Sequence, residues 1–164
     1  MRILVDKQEK TPFSFPEGIE TRRAHLVNGD YALEGDGSFS IERKSLSDFL
    51  GTISSGWEQF EHEMYRMERF GTPIKIILVE GDFAQCLFCE DADGNVIPPP
   101  HDHPALTPEF VAKRIAELAL IHRAEVLFCG DAEGGALMCE KIFEQRNIQI
   151  KGAVKFNKKL GGHK

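Results

Sequence analysis

The apolar positions fall into short runs divided by polar turns and longer helical stripes. Ile3-Leu4-Val5, bounded by Arg2 and Asp6, predicts a short buried strand. A polar stretch follows, and then Pro12, Phe13, Phe15 and Pro16, which read as loop. Thr21 to Val27 predicts a second strand, and Asn28-Gly29-Asp30 predicts a turn. Tyr31-Ala32-Leu33 and Phe39-Ser40-Ile41 have the pattern of two hairpin arms joined by Glu34-Gly35-Asp36-Gly37. Ser45 to Leu50 predicts a short helix. Ser55 and Glu58 have capping-box spacing, and Trp57, Phe60, Met64 and Met67 recur at helical spacing before Gly71.

Ile74 to Val79 predicts a strongly buried strand. Thr107-Pro108-Glu109 opens a helix whose Val111, Ile115, Leu118 and Ile121 share a face. Val126-Leu127-Phe128 predicts a strand, and Asp131 to Arg146 a long final helix. Strands alternating with helices give an α/β layered fold. No internal repeat or low-complexity linker interrupts the pattern.

Composition adds boundaries to this picture. The 164 residues, 41% hydrophobic and 28% charged, suit one globular domain and argue against disordered, collagen-like and disulfide-scaffold chains. No apolar run approaches the roughly 20 residues that span a bilayer, so no membrane partner is expected. The start is too short and too soon charged for a signal peptide, and four cysteines without one point to a reducing, cytoplasmic setting. The net charge is −6, but residues 151–164 contribute +5 from five lysines and no acid, leaving −11 for residues 1–150. The expected organisation is therefore one domain over 1–150 and a basic C-terminal tail over 151–164. Lys151, Lys155, Lys158 and Lys159 are the candidate polyanion contacts.

Candidate chemistry concentrates in Gly29-Asp30, then Glu42-Arg43-Lys44, then Asp48. On the hairpin, Asp30 begins the first arm and Glu42 ends the second, so the two carboxylates converge. Two converging carboxylates repel unless a cation lies between them, and carboxylate oxygens are the donors that Mg²⁺ prefers. Lys44 leaves the strand on the same face as Glu42. The group suits metal-assisted phosphodiester hydrolysis, with the lysine orienting water or stabilising developing charge. Asp6, at the end of the first strand, is placed to add a third carboxylate. Glu-Arg-Lys alone is an ordinary solvated run and Gly-Asp an ordinary turn; only the combination is specific.

At these residues the sequence resembles the XPF/Hef-type nucleases, a branch of the PD-(D/E)xK superfamily. Gly29-Asp30-x11-Glu42-Arg43-Lys44-x3-Asp48 is similar to the family signature. Val5-Asp6-Lys7-Gln8-Glu9, Ser54 to Glu61, Ile76 to Gly81 and Leu118 to Glu144 extend the similarity. The resemblance implies a restriction-endonuclease-like central mixed sheet flanked by helices. It implies a Mg²⁺- or Mn²⁺-dependent DNA endonuclease acting on branched or flapped DNA, in repair or recombination. Asp30 and Glu42 would be metal ligands with the Arg43 carbonyl as a third, Lys44 the catalytic lysine, and Asp6 and Asp48 the outer part of the site, with Glu9 in support. Gln8 and Trp57 stand where the family commonly has arginine. The form resembled is a stand-alone bacterial or phage type, without the helix-hairpin-helix domain of many relatives. Relatives pair through their nuclease domains, so a homodimer built on the last two helices is expected.

Two other readings accompany this one. A non-catalytic DNA-binding or scaffold module could share the fold, although intact Asp30, Glu42 and Lys44 argue against it. Cys86, Cys89, His101 and His103 form a candidate zinc set that would make an interaction domain. The alternative for that region is a hairpin, 84–89 with 95–97, whose cysteines pack as small hydrophobes. Cys129 and Cys139 are expected in the core. Gly130 to Gly135 lacks a phosphate-binding lysine and is expected to bind no nucleotide.

Overall fold

The computed structural model describes residues 1–69, 71, 74–87, 89–90, 92–97 and 106–160. Its main sheet has six strands: β1 (Arg2–Asp6), β2 (Glu20–Ala24), β3 (Tyr31–Leu33), β4 (Asp36–Ser45), β5 (Ile74–Glu80) and β8 (Glu125–Phe128), in the order β2-β1-β3-β4-β5-β8. The pairs β1–β3 and β3–β4 are antiparallel, whereas β1–β2, β4–β5 and β5–β8 are parallel. The helices are α1 (Leu46–Ile53), α2 (Trp57–Arg69), α3 (Phe83–Leu87), α4 (Pro108–Leu120) and α5 (Ala132–Leu160). A small antiparallel pair, β6 (Cys89–Glu90) with β7 (Val96–Ile97), stands apart from the sheet. This is the expected mixed sheet flanked by helices.

Both faces of the sheet are covered. On one, Ile77 and Val79 of β5 pack with Phe49, Leu50 and Ile53 of α1, Trp57, Phe60 and Met64 of α2, and Val111 and Leu118 of α4. On the other, Ile76 and Leu78 meet Ile3, Val5, Tyr31, Ile41 and the Ala136, Cys139 and Phe143 stripe of α5. The alternating side chains of β5 thus feed two cores, which is why its sequence is almost continuously apolar. Among the described residues no helix is long and apolar enough to cross a membrane.

Several expected bounds change. The hairpin turn shortens because β4 starts at Asp36, where a buried ion pair with Arg146 of α5 (2.6 Å) fixes the strand. The second strand ends at Ala24 rather than Val27, and Val27 is exposed. Helix α1 runs on to Ile53, which is fully buried. Gly56, not Ser55, precedes the first residue of α2, and its carbonyl accepts from Phe60 N–H at 3.0 Å. A Cβ at position 56 would meet the Gly51 carbonyl at 3.2 Å, a tight approach where α2 turns on α1. The alternative hairpin of 84–89 with 95–97 is present only in part, as β6 with β7, whereas residues 83–87 are helical: Asp82 N–H donates to the Gln85 side chain while Gln85 N–H donates to the Asp82 carbonyl. Ile121 follows the end of α4 and is half exposed rather than on its buried face.

Helix α5 does not stop at Arg146. No proline follows, Ile150 still packs on the core, and the helix continues to Leu160. Residues 151–160, expected as part of a loose tail, therefore extend a helix rooted in the core.

Candidate active site

Strand β4 sorts its residues by alternation. Ile41 and Arg43 face the α5 side, where the Arg43 guanidinium lies 4.5 Å over the Phe13 ring. Lys44 faces the α1–α2 side, with its Nζ 5.5 Å over the Phe60 ring and 3.2 Å from Glu42 Oε1. Backbone bonds stitch the strand ends together: Asp6 N–H donates to the Asp30 carbonyl (2.8 Å) and Asp30 N–H to the Ile41 carbonyl (2.9 Å). Gly29 makes this closure possible. Its φ is +72°, and a Cβ there would sit 2.9 Å from both the Ile41 oxygen and the Ser40 Cβ. No other residue fits that contact and that backbone angle together.

Asp30 and Glu42 are thereby brought together, partly buried, with Lys44 beside them. Asp30 Oδ2 accepts the peptide N–H of Arg43 at 2.8 Å. Burial, and then the charge of Glu42, push the Asp30 carboxyl up to about 7, against the pull of that N–H. Burial also pushes the Glu42 carboxyl up, opposed by Lys44 and reinforced by Glu63 and Glu9. Two hard-oxygen donors that resist sharing negative charge make a site that gains by taking up a cation. Among the described residues no three His, Cys, Asp or Glu side chains form a ready-made cage.

Asp6 is not drawn into this pair by any described contact. Its two oxygens accept Gln8 N–H and Leu26 N–H, both at 2.7 Å. These bonds hold its carboxyl below the usual range in spite of burial. Asp6 ties the loops after β1 and β2 together. Asp48 caps α1 with Ser45: Ser45 Oγ donates to Asp48 Oδ2 (2.8 Å) and accepts Asp48 N–H (3.1 Å). Asp48 also lines a groove of about 500 Å³ that opens at Lys44 and includes Ser47, Gln59 and Glu63.

Three carboxylates near the pair lay outside the residues the sequence marked as ligands. Glu80, at the end of β5, holds Arg43 Nε at 2.5 Å. Glu9 lies 3.6 Å from Arg43 Nη1. Glu63 joins from the polar face of α2. Glu80 was visible as the acidic-glycine end of a strand, but its partner is 37 residues away. Trp57 is buried beneath Arg114, whose guanidinium sits 4.1 Å over its ring.

Of the zinc set, Cys86 is fully buried in α3, with its thiol pushed up to about 11 by that burial. Cys89 lies in β6, and His101 and His103 lie outside the described residues. Lys151 continues α5, and positions 155, 158 and 159 fall on its last turns. Cys139 is in the core and Cys129 is half-buried beside it.

A mixed sheet carrying a strand-end carboxylate pair and an adjacent lysine defines a nuclease-like architecture. The ERCC4 domain matches residues 5–141, and the chain belongs to this family of XPF-type nuclease domains. The fold is similar to that of XPF from Aeropyrum pernix, with a TM-score of 0.65 and 21% identity over 95% of this chain and 70% of that one. A structure described as XPF from Aeropyrum pernix in complex with DNA gives 0.64 and 22% identity, covering 90% of this chain and 66% of that one. No curated protein matches the chain.

The Asp30 shift carries a stability signature. Unfolded, this carboxyl titrates near 3.8; folded, it keeps its proton to about 7. The folded state then binds more protons between these values, so metal-free stability falls as pH rises from 4 to 7, at up to roughly 1.4 kcal/mol per unit. Asp30→Asn keeps an acceptor for Arg43 N–H and removes the charge. In chelator it should match the parent near pH 4 and exceed it above pH 7. Urea denaturation across this range checks the expectation, and a parent whose stability rises relative to Asp30→Asn between pH 4 and 7 contradicts it.

Proposed function

We propose that the protein is a Mg²⁺- or Mn²⁺-dependent DNA endonuclease that hydrolyses phosphodiester bonds in branched or flapped DNA. The single observation that carries this reading is the convergence of Asp30, Glu42 and Lys44 at one strand end, with both carboxyls raised by burial and that of Asp30 also by the charge of Glu42. The DNA named with one Aeropyrum pernix XPF structure supports the choice of polymer.

Asp30 and Glu42 would hold the ion, which when bound polarises the phosphodiester and lowers the pKa of coordinated water. Arg43 N–H fixes one Asp30 oxygen and so orients the other. Lys44 Nζ, now 3.2 Å from Glu42, is placed to donate to a phosphate oxygen as its negative charge develops. Phe60 beneath Lys44 limits water on that side and strengthens the charge interaction. Asp6 and Asp48 act from the flanks, by holding the loop and α1 that frame the pair. An intracellular setting belongs to the same reading, supported by the free thiols of Cys86, Cys129 and Cys139.

The decisive experiment incubates the chain with single-stranded, duplex, flap and four-way DNA, with Mg²⁺, Mn²⁺ or chelator. Cleavage of branched substrates is expected only with metal. Asp30→Ala, Glu42→Ala and Lys44→Ala should each lower it by at least about 100-fold without loss of folding, the scale for removing a transition-state contact. Cleavage in excess chelator, or in Asp30→Ala, overturns the assignment.

The lysines of residues 151–164 supply DNA affinity without sequence preference in this reading. Removing residues 155–164 deletes four of the five lysines. The log–log salt slope of duplex binding should flatten by up to about 3.6 at 0.9 per phosphate contact. An unchanged slope leaves the segment as a solvated end.

A homodimer is the matching assembly. Leu137 and Ile148 of α5 are 57% and 59% exposed, and Leu120 at the end of α4 is 82% exposed, a surplus of apolar surface on the two closing helices. Light scattering should give twice the 18.4 kDa chain mass at micromolar concentration, reduced by Leu137→Glu with Ile148→Glu. A concentration-independent 18.4 kDa contradicts it.

A further inference from the structure

Residues 7–12 leave the sheet after β1 and return at Phe13, whose ring stacks on Tyr31 at 5.0 Å. Main-chain bonds from Lys7 N–H to the Ala24 carbonyl (2.9 Å) and from Glu9 N–H to the Asp6 carbonyl (3.3 Å) shape this loop, and three further tethers involve side chains. Phe13 N–H donates to Tyr31 Oη at 2.9 Å. Arg43 Nη1 donates to the Thr11 carbonyl. The third tether comes from β2, where Arg23 Nη1 donates both to the Asp6 carbonyl (2.5 Å) and to the Glu9 carbonyl (2.7 Å). One cationic nitrogen therefore binds the start of the loop to its middle through two charge-assisted bonds.

Glu9 is the residue this fixes. Its carboxylate accepts Thr11 N–H at 2.8 Å and lies 3.6 Å from Arg43 Nη1. Arg43 in turn donates its peptide N–H to Asp30 at 2.8 Å. A continuous line of contacts runs from Arg23 through Glu9 and Arg43 to Asp30.

We propose that Arg23 is a positioning residue of the candidate active site: by pinning the Asp6 and Glu9 carbonyls it holds the Glu9 carboxylate against Arg43, and so keeps Arg43 N–H on Asp30. The proposal rests on the nuclease reading above. Arg23 has no described contact with Asp30 or Glu42, so it acts through the loop. It also lies on an edge strand whose side chains are largely exposed, and belongs to neither core cluster. Its loss should therefore disturb the site without unfolding the protein. No apolar pattern marks such a residue, because its partners are two main-chain oxygens.

The test compares the parent with Arg23→Met and Arg23→Lys in the full chain, by three measurements. These are hydrogen exchange of the 7–11 amides without metal, Mn²⁺ affinity without DNA, and kcat and KM for cleavage. In Arg23→Met the Gln8 and Thr11 amides should exchange faster. Mn²⁺ affinity and kcat should fall roughly ten- to hundredfold, as for partners that orient a metal ligand, with KM and melting temperature little changed. Arg23→Lys, which can still donate to both carbonyls, should recover most of the loss. Unchanged exchange in Arg23→Met overturns the proposal, and so does faster exchange with parental Mn²⁺ affinity and kcat. A rise confined to KM overturns it too, by making Arg23 a DNA contact. A parent chain that neither binds Mn²⁺ nor cleaves DNA instead overturns the nuclease reading, and the positioning role with it.

Discussion

Asp30 and Glu42 are held close together and away from bulk water, and each resists the charge of the other. Leaving both ionised in that place costs free energy, so the surroundings are arranged to make the contact tolerable. Lys44 lies against Glu42, Arg43 gives Asp30 a peptide N–H, and Gly29 provides a backbone turn that no side chain would permit. The same strand then needs its opposite face neutralised as well. Glu80 and Glu9 serve Arg43 there, and the Phe13 ring covers it.

Alternation along β4 is what lets one short segment serve two purposes. Ile41 and Arg43 complete the packing under α5, while Glu42 and Lys44 are delivered to the α1–α2 side. Parallel pairing with β5 keeps this register, since Glu42 lies opposite Ile77 and Lys44 opposite Val79. A slip of one residue would send the carboxylate into the α5 core and the guanidinium into the groove. The double burial of β5 opposes that slip, because its side chains fill both cores in strict alternation.

Much of this was legible in the chain. The strands at Ile3, Tyr31, Ile74 and Val126 showed as apolar runs, and the meeting of Asp30 with Glu42 followed from hairpin geometry. What was not legible depended on long-range partners. Asp6 offers a carboxylate at a strand end, which reads like a ligand; its oxygens also accept main-chain N–H groups, one from Gln8 two residues on and one from distant Leu26 after β2. Glu63 lies on the polar face of α2, where periodicity marks only the apolar side. The α3 turn did carry a local signal, Asp82 three residues before Gln85, which the alternation of its neighbours obscured. The reach of α5 was not legible because a run of charges beside Gly152 resembles an end, although no proline follows and the helix runs on through that glycine.

That last helix has a geometric consequence. At about 1.5 Å per residue, the 10 residues from 151 to 160 carry its end roughly 15 Å beyond the last turn packed on the core. A flexible tail would sample a cloud of positions, whereas a helical strut holds its end at one offset and one bearing from the sheet. The reach of the basic segment is set by backbone geometry, and adding or removing a turn would move its end by a defined step.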